Sequence, residues 1–263
     1  MVHVIKSKDS SLAWFEAVRF IYSNGLKHGE LAREVLDLVV EIEKPLQIRK
    51  TIDRIFKNHI GEIWIMKGAE PIFPKNMQKN SKWYSSYWSR ISQYKEKRNQ
   101  IEYVINRLLT KPHSKQLVCV TFDPEIDIQP NRPYNPTMPC LVALDFKVQK
   151  GHLDLFALFR SHDFGRKAYG NYIGLGRLMK YICTRTFLKE GSVVCYSRSA
   201  HIRVKEFASI KTILQELEKY NPEEDEIITL QEGNKLTLDS FVSPTKKVRY
   251  EGVEETEEED DYV

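Results

Sequence analysis

The chain has 263 residues, 41% of them hydrophobic and 29% charged, enough apolar content for a full core. It holds no apolar run of about eighteen residues, and Met1-Val2-His3-Val4-Ile5-Lys6 lacks the apolar centre of a signal peptide. Neither a membrane span nor secretion is expected, and the protein is expected to be soluble and cytoplasmic. The net charge of +4 hides an asymmetry, because residues 251–263 carry eight acidic and no basic side chains and so leave the body at +12. A body that basic favours anionic partners, phosphorylated small molecules or nucleic acid, while the tail at 246–263 is expected to be disordered. No linker-like stretch divides residues 1–245, which are expected to form one domain.

In chain order, Asp9-Ser10-Ser11 caps residues 12–22, whose apolar positions recur every three and four residues; a helix is expected, ending near Asn24-Gly25. Residues 35–43 alternate and stop at Lys44-Pro45, the pattern of a strand. Residues 60–68 are mostly apolar and carry one carboxylate, Glu62, near the start, where such a group commonly marks an exposed element end. Residues 83–91 cluster aromatics around Arg90, which suits base stacking or core packing. Residues 99–109 form an amphipathic helix closed by Lys111-Pro112, and a strand follows over 117–122. Pro139-Cys140 heads an apolar run that turns at 149–152 and returns over 153–159, a hairpin. A helix starts at Gly170-Asn171 with Asn171 as one candidate cap, another covers 207–220, and 227–230 with 235–238 suggest a last hairpin. The four cysteines show no Cys-x-x-Cys pair, so neither a zinc site nor a disulfide framework is supported and free thiols are expected.

The stretch from Pro139 to His201 organises the rest. Twenty residues after Cys140 comes Arg160-Ser161-His162-Asp163, eight after Asp163 stands Asn171, and thirty after that His201. These intervals resemble the thymidylate synthase family, in which a Pro-Cys nucleophile is followed at the same spacings by Arg-Ser-x-Asp, Asn and His. The resemblance spans roughly residues 60–215 and implies a mixed α/β sandwich, helices over a mostly antiparallel-containing sheet, assembled as a homodimer through stacked sheets. It implies C5 methylation of a uridine nucleotide, dUMP by default, with methylenetetrahydrofolate supplying carbon and hydride. Carbon 5 of a pyrimidine is a poor nucleophile. A thiolate at carbon 6 activates it, and cysteine suits because it both attacks and leaves well.

By the same resemblance Cys140 is the nucleophile and Arg160 the cation that favours its thiolate, while Glu62 relays protons to the pyrimidine O4. Asn171 offers an amide to N3 and O4, which matches uracil where cytosine-using relatives carry Asp. Asp163 meets the pterin of the folate, His201 binds the sugar, and Tyr87 borders the site. Phosphate contacts fall to Arg160, Ser161, Lys115 and Arg203. Several positions depart from the family pattern. Trp64 and Gly68 stand one residue closer to Glu62, Trp88 replaces a glycine after Tyr87, and Lys115-Gln116 replaces an arginine pair that holds the neighbouring subunit's phosphate. Gln116 loses the bidentate fork that an arginine supplies. Arg203 replaces a sugar-binding tyrosine, and no Arg-Thr-Gly-Thr-Gly phosphate loop is present. These departures leave three functions open: methylation, C5 hydroxymethylation of a nucleotide such as UMP, CMP or dCMP, or a non-catalytic relative that binds nucleotides or RNA.

Overall fold

A computed structural model describes residues 2–29, 31–74, 82, 84–128 and 138–230. The acidic tail, Trp83, the second arm of the expected last hairpin and part of the Pro-rich connection at 124–139 lie outside the described residues.

The expected mixed α/β architecture is present. The main sheet runs β1 (His3–Asp9), β3 (Leu31–Lys44), β9 (Lys189–Arg203), β7 (His152–Phe159), β6 (Leu141–Gln149) and β5 (Val118–Val120), with β2 (Leu26–His28) on β3 and β8 (His162–Asp163) on β9. Pairings β1/β3, β7/β9 and β8/β9 are parallel and the rest antiparallel. One face of the sheet is dry. Leu38, Val40 and Ile42 of β3, Leu155 and Ala157 of β7, and Val193 and Cys195 of β9 are buried there under the helices. On the other face Leu36, Phe156, Val118 and Val120 stay exposed.

Helix α1 (Ser10–Asn24) begins where its cap signal lies, since the Asp9 carboxylate accepts from Leu12 N at 2.9 Å. The same carboxylate takes Arg49 Nε at 2.8 Å, both side chains being buried, and Arg49 donates onward to Pro222 O at 2.6 Å. That pair fastens the first turn of α1 to β4 (Gln47–Arg49) and to the 222–225 segment. Helix α2 (Lys50–His59) follows, and Phe56 packs edge-on against Trp14. Strand β10 (Ile227–Thr229) pairs with β4 in a second, two-stranded sheet. Among the described residues β10 takes its backbone partners from residues 47–49, while the second arm of the expected last hairpin lies outside them.

The core helix is α7 (Ala168–Thr186), buried on nearly every side, which explains how a segment with three glycines stays helical. Two of those glycines make room for α3 (Glu62–Ala69). A Cβ on Gly170 would lie 2.2 Å from Ile65 O, and one on Gly174 would lie 2.8 Å from Ala69 O. Gly68 answers from α3, where a Cβ would meet Gly170 Cα at 2.8 Å. The two helices therefore touch backbone to backbone. Asn171 is not the cap of α7, as its local sequence allowed; Lys167 holds that position and Asn171 lies inside the first turn.

Candidate active site

Cys140 sits just before β6 and is half-buried, whereas Cys119, Cys183 and Cys195 are buried. Burial pushes the Cys119 and Cys183 thiols up to about 12 and Cys195 up as well, so those three are protonated, inert thiols. The Cys140 carbonyl accepts from Arg160 N at 2.9 Å, and the Arg160 side chain turns back on the same backbone, donating to Pro139 O at 2.9 Å and Met138 O at 3.2 Å. Arg160 is thereby fixed beside Cys140 while its side chain remains exposed.

Tyr87 reaches Cys140 from α4 (Tyr87–Ser92). This helix starts in a capping box in which Ser86 and Ser89 bond each other's backbone. Arg90, fully buried, anchors it with a two-pronged bond to Asp127 at 2.8 and 2.9 Å and a donation to Thr121 O at 2.7 Å. Arg90 is thus structural, and its neighbour Tyr87 is the one presented to the thiol. The Tyr87 hydroxyl lies against the Cys140 sulfur and the backbone of Cys140 and Leu141; burial and the thiol push it above the usual phenol range.

Beyond Arg160 the chain passes through Ser161, half-buried, into β8. Here His162, the variable residue of Arg-Ser-x-Asp and so without a signal of its own in the motif, is fully enclosed. It stacks on Phe159 at 4.0 Å, bonds Ser197 Oγ through Nδ1 at 2.8 Å and bonds Asn171 Oδ1 through Nε2 at 3.2 Å. Burial lowers its pKa to about 3, so the ring is neutral at physiological pH. Asn171 is buried too, and its Nδ2 donates to Gly68 O at 2.9 Å, a bond that the glycine contact between α3 and α7 permits. The amide expected to read a base is therefore held from both ends.

The third group is Asp163, His201 and Arg203. Asp163 and His201 are paired partners of β8 and β9, and Arg203 Nε lies 3.5 Å from Asp163 Oδ2. The Asp163 backbone oxygen accepts from Lys167 N at 2.9 Å. His201 is buried, against the surface position an isolated histidine would suggest, and burial lowers its pKa. Its Nδ1 and Asp163 Oδ1 have no hydrogen-bond partner among the described residues. Alongside, Glu206 forms an ion pair with Arg166, whose guanidinium lies 4.2 Å from the Trp64 ring centre.

Two expected residues stand apart. Glu62 heads α3 with a 72% exposed side chain and meets Lys57 Nζ at 3.8 Å, in a cleft that Asp53 and Arg177 also line. The structure does not bring it to Cys140 or Asn171. Lys115 is exposed at the far end of the β5–β6 ladder, on the order of 20 Å along the strands from Cys140 at about 3.3 Å per residue. Gln116, in place of an arginine, accepts from Arg107 Nη2 at 3.0 Å.

Among the described residues no cluster of His, Cys, Asp or Glu could hold a metal ion, and no helix is long and apolar enough to cross a membrane. Compared with known proteins, residues 38–248 match the family described as Thymidylate synthase. A Methanosarcina acetivorans protein named "Putative thymidylate synthase" is 31% identical over 216 residues, covering 81% of this chain and 94% of that protein. A Methanocaldococcus jannaschii protein of the same name is 30% identical over 226 residues, 82% of this chain and 98% of its own length. The family match spans the thiol, the paired strands beside it and the buried amide alike, and the chain belongs to the thymidylate synthase family.

Proposed function

We propose that this protein transfers a one-carbon unit to C5 of a uracil nucleotide, dUMP by default, with Cys140 as the nucleophile. The observation that carries this reading is the Cys140 environment: it is the cysteine left accessible, with the Tyr87 hydroxyl on its sulfur and Arg160 folded against its backbone. In this reading the thiolate forms a bond to C6 and the C5–C6 electron pair moves out through C5 to O4. C5 would then bond to the incoming carbon as that carbon's bond to its donor is broken, the C5 proton would leave, a hydride would complete the methyl group, and the sulfur would depart as the C5–C6 double bond returns. Tyr87, hydrogen-bonded to the sulfur, donates to the thiolate and stands beside the C5–C6 edge.

Asn171 has one amide N–H and one carbonyl lone pair left after its bonds to Gly68 and His162. Those two complement O4 and N3–H of uracil. His201, with a buried unpaired ring nitrogen, takes a sugar hydroxyl, and Arg203 lies beside it. Arg160 and Ser161 hold the phosphate. Lys115 cannot reach that phosphate within one chain, and in a homodimer it serves the partner's site. The exposed Leu36, Phe156, Val118 and Val120 on the outer sheet face support such a dimer.

Methylenetetrahydrofolate, when bound, supplies the carbon and the hydride. Asp163 fits it, because Oδ1 is a buried acceptor lacking a donor, the partner that the N–H edge of a pterin provides. Glu62 enters this reading only through its family resemblance, since its side chain points elsewhere.

The test is tritium release from 5-tritiated UMP and dUMP. The native protein releases tritium, whereas Cys140→Ala binds nucleotide and releases none. Release by Cys140→Ala would remove the mechanism, and RNA binding without any release would favour a non-catalytic relative.

A further inference from the structure

The strand β9 serine Ser197, the β8 histidine His162, the α7 amide Asn171 and the α3 carbonyl of Gly68 form one buried hydrogen-bonded chain with links of 2.8, 3.2 and 2.9 Å. Its direction follows from the donor inventories together with the neutral ring that burial imposes on His162. A backbone carbonyl only accepts, so the Asn171 nitrogen must face Gly68 and its oxygen must face His162. That oxygen also only accepts, so the His162 proton sits on Nε2. Nδ1 is then a lone pair, and the Ser197 hydroxyl donates to it. Every proton in the chain is accounted for, and every one points from Ser197 toward Gly68.

We propose that His162 is a positioning residue that determines base selection, holding the Asn171 amide, against the Gly68 carbonyl, in the one orientation that reads uracil. This rests on the function proposed above. Cytosine presents an acceptor at N3 and a donor at position 4, the reverse of uracil. Reading it requires the amide to rotate by half a turn. Rotation would set Asn171 Oδ1 against the Gly68 oxygen and its NH2 against the Nε2–H of His162, replacing two attractions with two repulsions. His162 and Ser197 could reverse their protons only by a concerted change in a dry site, and the Gly68 carbonyl could not follow. The ring is itself immobilised by its stack on Phe159 and the nearby Phe164 and Tyr172 rings, at 4.8 and 5.9 Å.

The experiment is calorimetric titration of the full chain with UMP and CMP, in native, His162→Phe, His162→Gln and Asn171→Asp forms. Phe keeps the stack and deletes both hydrogen bonds. Gln keeps one donor for Asn171 and one acceptor for Ser197. The native protein prefers UMP; His162→Phe lowers the UMP-to-CMP affinity ratio about tenfold, the worth of one buried hydrogen bond. His162→Gln restores most of the ratio. An unchanged ratio in His162→Phe, with Asn171→Asp shifting it toward CMP, overturns this proposal and leaves the base-reading role of Asn171 standing. A native protein without base preference, unaltered by Asn171→Asp, overturns that role as well. If His162→Phe does not fold, nitrogen NMR of the native imidazole decides: the Nε2–H tautomer is expected, and an Nδ1–H tautomer or a charged ring overturns the chain.

Discussion

Replacing Gly170 by alanine tests whether the backbone contact between α3 and α7 builds the site. By helix propensity alone the change should stabilise, since alanine in a helix interior is favoured over glycine by about 1 kcal/mol. The added Cβ, however, would stand 2.2 Å from Ile65 O and 3.0 Å from Gly68 Cα. Carbon and oxygen need about 3.3 Å, so the helices must part by about 1 Å. Overpacking of that kind costs about 1–3 kcal/mol, and stretching the Asn171 bond to Gly68 costs about 1 more. A net loss of about 2 kcal/mol is expected, read in urea unfolding as a midpoint lowered by about 1 M at unchanged slope. UMP affinity should fall with it, because the amide loses its anchor. A raised or unchanged midpoint would refute the reasoning and show that the helices have slack between them.

Other outcomes follow from single groups. Arg49→Met leaves the buried Asp9 carboxylate without its cation and should cost about 3–5 kcal/mol in thermal or urea unfolding. Phe187, at the end of α7, is 91% exposed with φ of 58°, so Phe187→Gly should stabilise by about 1 kcal/mol in the same assay. Tyr87→Phe removes the hydroxyl from the Cys140 sulfur and should lower turnover by at least about tenfold, with unfolding scarcely changed. His162 predicts an acid-sensitive fold: its native pKa of about 3 lies below the ordinary 6.5, so the unfolded chain takes a proton that the native chain refuses. Stability should fall as pH drops from 6.5 toward 3, and His162→Gln should flatten that slope. An equal slope in both proteins would contradict the buried neutral ring.

The elements written in local signals were legible. Asp9 caps α1 and Asn99 caps α5 (Gln100–Thr110), and the hairpin of β6 and β7 lies where its turn residues stand. Spacing along one stretch likewise brought together Cys140, Arg160, Asp163, Asn171 and His201, because residues 160–163 run from the Cys140 backbone past the Asn171 amide to His201. What escaped was whatever depends on partners distant in sequence. Strand β9, central to the sheet, buries Ser197 and His201 along with Val193 and Cys195, so its inner face does not read as apolar. His162 became visible only when Ser197 and Asn171 closed on it. The edge strand β1 exposes Val4, and its burial pattern follows from a parallel pairing with β3 that no local rule announces. Glu62, singled out by its place in an apolar segment, has an exposed side chain that faces Lys57.

The most direct test of the central claim uses 5-fluoro-dUMP with methylenetetrahydrofolate, extended to fluorinated ribose and cytidine forms. Fluorine at C5 cannot leave as a proton, so a thiolate bonded to C6 remains attached. The account predicts an added mass on the intact protein, and peptide mapping that places it on Cys140 and not on the buried Cys119, Cys183 or Cys195. No adduct with any member of the panel, in protein whose Cys140 is shown to be reduced, would contradict it.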